Sequence, residues 1–212
     1  MKALKLLLPV LIILGFTLSS CTKQSETDKD KKSEQTDSVT QKLDPAVESV
    51  FANANPVSAT DTAIAPVEFR SQLNEVLLEY IEIKQALSNN DSTKALMKTN
   101  QIKRTLTNIK DSGLNDKLKE EWKKESEKIE KCCKEVTISE KLDNQRKAFS
   151  KMTDIMTGLA KKFGFKNRTV YLMYCADKKA GYWLVDTKDI GNPYLGKTDK
   201  PCVELKEAWK FQ

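Results

Sequence analysis

Histidine is absent from all 212 residues. That single absence removes the Ser-His-Asp triad, the Cys-His pair and every metal site that requires an imidazole. No basic stripe interleaves with aromatic residues, so nucleic-acid binding is not expected. Lysine and glutamate are intermixed, as on solvated helix faces, rather than gathered into blocks. The glutamates are scattered along helical stretches and form no paired acid–base site, and no activated nucleophile is visible. The chain is therefore not expected to be an enzyme. Aromatics are nearly missing from one long stretch, Thr22 to about Val67, whose only ring is Phe51.

The start of the chain also lacks acidic residues, none occurring before Glu26, while Lys2 and Lys5 make it positive. An apolar run follows from Leu6 to Leu18. It is shorter than the roughly 20 residues of a spanning helix, but it suits the core of a signal peptide. The run ends in Leu18-Ser19-Ser20-Cys21. This resembles the lipobox of bacterial lipoproteins, and the resemblance implies cleavage before Cys21 and acylation of that cysteine. Each buried methylene of an acyl chain contributes roughly 0.8 kcal/mol, so two or three chains anchor firmly. A signal peptide over residues 1–20 and a cell-envelope protein held to a lipid membrane through Cys21 are the expectation. Thr22, where aspartate could stand, favours the outer membrane. Cleavage would remove two lysines and no acid, taking the net charge from +6 to +4.

Residues 21–66 read as a lipidated cysteine followed by a disordered tether. The stretch is rich in Lys, Asp, Ser, Thr, Gln and Ala and is punctuated by Pro45, Pro56 and Pro66. It offers too little apolar surface to offset its chain entropy. A short helix near Val47–Phe51 is compatible with this reading.

Residues 67–212 have the length of one domain. Leu73, Val76, Leu77, Tyr80, Ile83 and Leu87 recur at helical spacing. So do Ala95, Thr99, Ile102, Leu106 and Ile109, then Leu118, Trp122, Ile129, Cys133 and Val136, then Leu142, Phe149, Met152, Met156, Leu159 and Phe163. Asp91 or Ser92 is expected to cap the second helix and Ser139 the fourth. Short connections favour antiparallel neighbours, which gives an up-and-down four-helix bundle. After Gly164 the period changes to two. Val170–Cys175 and Gly181–Val185 read as a β-hairpin that must pack on the bundle, because two strands alone are marginal. An irregular tail with a last amphipathic turn through Trp209 completes a mainly α fold.

Several residues of this region form a recognisable set. They are Tyr80, Lys84, Ala86, Leu87, Asn90-Asp91, Leu142-Asp143, Gln145-Arg146, Phe149-Ser150, Gly181-Tyr182-Trp183-Leu184 and Ile190 with Asn192-Pro193-Tyr194 and Gly196. Over roughly Phe69 to Val203 they resemble a family of uncharacterised domains. Its members occur in exported bacterial lipoproteins and at the ends of periplasmic adaptor subunits of heavy-metal efflux pumps. In that family the first strand ends in Cys-Pro-Met-Ala, and a Met-x-x-Cys-Gly element follows Asn-Pro-Tyr. The resemblance implies copper or another soft metal as ligand and efflux components as partners. Cys175 and Cys202 match the two cysteines. Ala176-Asp177-Lys178, Asp199-Lys200-Pro201 and Val203 depart from the motifs around them.

Two uses of Cys175 and Cys202 follow from the residues themselves. As thiolates they are soft donors for a copper-like ion, and Met173, two residues before Cys175 on one strand face, could join them. As a disulfide they would close a loop of about 26 residues, worth roughly 3–3.5 kcal/mol by chain entropy. Separate buried thiols are a third state. Cys133 follows the third helical stripe and reads as core, with Cys132 at its edge, available as a free thiol or a link. Arg146 reads as an anchor for the hairpin through a carboxylate or carbonyl. Tyr171, Tyr174, Tyr182, Trp183 and Tyr194 read as glue between hairpin and bundle, or as the walls of a ligand groove. Function thus stands between a soft-metal or efflux accessory lipoprotein and a non-catalytic scaffold lipoprotein with a structural disulfide.

Overall fold

The computed structural model describes residues 45–52, 54–58, 65–177, 181–197 and 202–212. The signal segment, Cys21 and the first part of the tether lie outside the described residues. Those described belong to one compact unit, Lys42–Gln212.

Four long helices carry the core: α2 Val67–Ser88, α3 Ser92–Asn108, α4 Asp116–Thr137 and α5 Leu142–Lys162. Each packs on the next, and α5 returns to α2, giving the expected bundle. The apolar stripes account for this. Leu73, Val76, Leu77, Ile83, Leu87, Ile102, Ile129, Phe149, Met152, Met156 and Leu159 are all fully buried. Among the described residues no helix is long and apolar enough to cross a membrane.

Side-chain caps set the starts of α3 and α4. The Asp91 carboxylate accepts from the Lys94 N–H at 2.8 Å, and the Asn115 side chain does the same for Leu118 at 2.9 Å. Ser139 does not cap α5, contrary to the sequence expectation. The helix starts after Lys141, and the Ser139 hydroxyl instead accepts from the Lys141 N–H at 3.3 Å and the Asn144 amide at 2.9 Å.

The hairpin forms as read, from β2 Thr169–Tyr174 and β3 Tyr182–Val185. The tail differs from the expectation. Its amphipathic turn is a strand, β4 Glu204–Lys210, antiparallel to β2 with a bulge at Leu172/Met173. Leu205, Ala208 and Trp209 fit a helical turn or a bulged strand equally well. The unpaired edge of β2, whose backbone groups need partners, decides between them.

At the far end of the tether the short helix allowed near Val47–Phe51 is present as α1, Pro45–Phe51. The tether reading differs beyond it: Val57–Ser58 is a two-residue strand, β1, parallel to β4 at Trp209 and Lys210. Phe51 is only 8% exposed and meets the Tyr171 ring edge-on, with centroids 5.0 Å apart. Phe51, with Val47, Val50 and Ala54 partly buried around it, holds the segment on the sheet, whose order is β1-β4-β2-β3.

A relay of hydroxyls joins sheet to bundle. The Leu184 N–H on β3 donates to the Tyr80 oxygen at 3.1 Å, and Tyr80 and Thr153 share a 2.7 Å bond. Thr153 donates onward to the Phe149 carbonyl at 3.1 Å. Tyr80 is fully buried and stacks on Phe149 at 4.8 Å. Burial pushes its hydroxyl far above the ordinary tyrosine pKa, so it stays a neutral donor and acceptor. Tyr80→Phe keeps the ring but leaves the Leu184 N–H buried without a partner. Urea denaturation is expected to show a loss of about 1–3 kcal/mol; an unchanged midpoint would refute this role for the hydroxyl.

Candidate functional site

Cys175 of the hairpin and Cys202 of the tail meet because of strand register. The last pair between β2 and β4 is Tyr174 with Glu204. Cys175 and Cys202 lie just beyond that pair, on the two chains leaving the ladder. Their α carbons are 5.2 Å apart, and their sulfurs are bonded in a disulfide spanning 27 residues. Backbone groups fix both ends. The Cys175 N–H donates to the Gly181 carbonyl at 3.2 Å, and the Asn192 amide donates to the Cys202 carbonyl at 3.1 Å.

Of the expected metal donors, the structure brings together the two cysteines but bonds them to each other. Met173 is fully buried on β2, in register with Trp183 and Leu205. Among the described residues no three cysteine, aspartate or glutamate side chains are grouped to hold an ion. A disulfide sulfur has no thiolate to offer, so this donor set does not fit a soft metal while the bond is closed.

Cys132 and Cys133 are free and both buried, Cys132 more deeply than its edge position suggested. Burial, with Cys132 alongside, pushes the Cys133 thiol up to about 12. Burial, with Glu135 nearby, raises Cys132 too. Both thiols stay protonated at neutral pH and are poor nucleophiles and ligands.

The tail motif is used internally. The Asn192 side chain accepts from the Tyr194 and Leu195 N–H groups at 2.9 and 3.2 Å, shaping the turn. Tyr194 donates to the Tyr182 carbonyl at 2.5 Å, and its ring lies between Phe149 and Trp183. Gly196 has φ +71°, and a β carbon there would lie 2.2 Å from the Asn90 side-chain oxygen. Only glycine permits that approach of tail to α2–α3 turn. Arg146 closes the latch. It donates to the Pro193 carbonyl at 2.8 Å, the Leu87 carbonyl at 3.2 Å and the Asn90 side chain at 2.6 Å. The anchor read from sequence is present, through carbonyls, but it holds the tail rather than the hairpin. Of the five aromatics, Trp183 and Tyr194 are buried glue, while Tyr174 and Tyr182 pair at 4.6 Å with Lys206 over the Tyr174 ring.

Sequence reasoning missed one feature of this region. Lys84 is fully buried, with its ammonium 2.9 Å from a carboxylate oxygen of Asp189 and 3.3 Å from the Asp189 carbonyl. A signal was available: Leu73, Leu77, Tyr80, Lys84 and Leu87 step by four and three, which puts a lysine in the apolar stripe. Burial lowers the Lys84 pKa despite Asp189. Burial would raise Asp189, but Lys84, the Gly191 N–H and Gln85 outweigh it and hold that carboxyl below its usual value. Asp189 also borders a cleft of about 250 Å³ with Gln85, Ser88, Gly191, Asn192 and Cys202.

A protein-family model described as protein of unknown function (DUF3347) matches residues 76–168, from within α2 to the residue before β2. The shared part is thus the bundle, including Tyr80, Lys84 and Arg146. It stops short of Cys175, Cys202 and the tail motif. No curated protein and no solved structure matches the chain.

Two expectations follow. Replacing Cys175 and Cys202 by serine together should cost about 3 kcal/mol through the loop entropy regained on unfolding. Unfolding of oxidised and reduced protein in denaturant checks this, and equal stabilities would remove the staple role. The second concerns charge. Asp189→Asn leaves a buried ammonium without its counter-charge, whereas Lys84→Met removes the charge itself, so the first variant should be the less stable. Asp189, whose pKa is depressed on folding, contributes stability that is present above about pH 4 and lost as pH falls through its folded value. Wild-type stability should therefore drop more steeply in acid than that of Lys84→Met, as pH-dependent melting would reveal; parallel curves would contradict it.

Proposed function

We propose that this chain is an exported, lipid-anchored, non-catalytic interaction module in which Cys175–Cys202 is a structural staple. The observation that carries the reading is that the disulfide and the tail motif are both spent on holding the fold. Cys175 and Cys202 bond each other, and Asn192, Tyr194, Gly196 and Arg146 bind one another's segments. A closed disulfide accords with a chain delivered to an oxidising compartment, as the signal-like run and Leu18-Ser19-Ser20-Cys21 suggest. The lipid on Cys21 would hold the domain at the cell envelope, on the outer membrane. A partner protein, of the kind found in heavy-metal efflux assemblies, would be met through the outer faces of bundle and sheet.

The decisive experiment combines capture and titration. Protein extracted from membranes is expected to retain a stable partner in metal-free buffer, and Cys21→Ser is expected to leave the membrane fraction. Residues 22–212, reduced and titrated with copper, are expected to bind no stoichiometric metal. Stoichiometric copper binding that is lost in Cys175→Ser and Cys202→Ser would overturn this reading and make the chain a soft-metal handling lipoprotein.

A further inference from the structure

We propose that Pro45–Ser58 is a detachable strap, docked on the sheet in one state and released in another without unfolding of the bundle. Two unequal attachments lead to this. The bundle and the β2–β4 ladder are tied by buried side chains, the Tyr80 relay, the Arg146 latch and the disulfide. Among its described residues the strap has one buried side chain, Phe51, with Val47, Val50 and Ala54 partly covered. Ser49 and Ser58 make further interactions.

Its secondary structure is as slight. The helix α1 has seven residues, well under the roughly 12 to 15 at which an isolated helix becomes even marginal. Strand β1 has two residues, and Val57 is 67% exposed. Pro56 precedes it and has no N–H to extend the pairing towards Ala208. Segments with few buried contacts open first and at little cost, as units separate from global unfolding. Phe51 is the pin, because its removal leaves no buried side chain among the described residues between Pro45 and Ser58.

The strap also stands where release would matter. It lies in the chain between Cys21 and the start of α2. Released and fully extended, its fourteen residues span at most about 45 Å at roughly 3.3 Å each. Release also bares Tyr171 and the Trp209 edge of β4. The consequence for reach rests on the anchored reading above. The strap itself does not, and it is tested on unlipidated protein.

Hydrogen-exchange mass spectrometry of residues 22–212 is the test. Amides of Val47–Ser58 are expected to exchange together, about 100-fold faster than those of β2. Phe51→Ala should raise strap exchange about tenfold more, with β2 still exchanging far more slowly than the strap. Chymotrypsin under native conditions should cut after Phe51 and leave a folded remainder. Exchange of strap and β2 at one common rate, a Phe51→Ala strap that exchanges no faster than the wild type's, or resistance to cutting until the whole domain melts would overturn the proposal.

Discussion

A β-sheet of this size has too little surface to hold itself together in water. It persists because a buried hydroxyl on α2 gives the edge of β3 a partner. The Tyr80 oxygen takes the Leu184 N–H, and its proton is shared with Thr153 on α5. Tyr194 does the same for the Tyr182 carbonyl two residues earlier on the strand. A strand edge that would otherwise be open is closed by two tyrosines instead of another strand. Everything C-terminal to the bundle is built outward from that seam: β2 pairs with β3, β4 pairs with β2, and the cysteines meet where the β2–β4 ladder ends.

The chemistry of the tail follows from this construction. Residues that could have recognised a ligand face one another. Asn192 shapes its own turn, Gly196 admits Asn90, and Arg146 spends its donors on backbone and amide oxygens. Lys84, an unusual residue for a core, is neutralised by Asp189 from the same tail. The tail is thereby fastened at three places, covalently at Cys202, by charge at Asp189 and by the latch at Pro193. These three fastenings hold the tail against the bundle and the sheet.

The bundle was legible because helix periodicity is local. Each stripe, from Leu73 to Leu87 and from Phe149 to Phe163, states which face is apolar, and short connections leave little choice of arrangement. Asp91 as a cap and Cys133 as core were readable for the same reason. Ser139 was misread because capping depends on where the backbone turns, which neighbouring helices set. The strand character of Glu204–Lys210 was hidden because its partner, β2, lies some thirty residues away and a bulge breaks the alternation. Phe51 was visible as a lone aromatic, but nothing nearby in the chain pointed to Tyr171. At the candidate site, the pairing of Cys175 with Cys202 was one of several open states, and Asp189 opposite Lys84 was not foreseen.

The sequence alone determined the number and faces of the helices, the presence of a hairpin, the lack of imidazole chemistry and the lipobox-like Leu18–Cys21, because each depends on residue type or on spacing within a few turns. Tertiary structure alone decided whether two sulfurs would bond or stay free for an ion, which residue would answer a buried lysine, and how far the folded unit reaches into the tether. Those outcomes depend on strand register and on contacts across a hundred residues, where a shift of a few ångströms separates a bond from no contact at all.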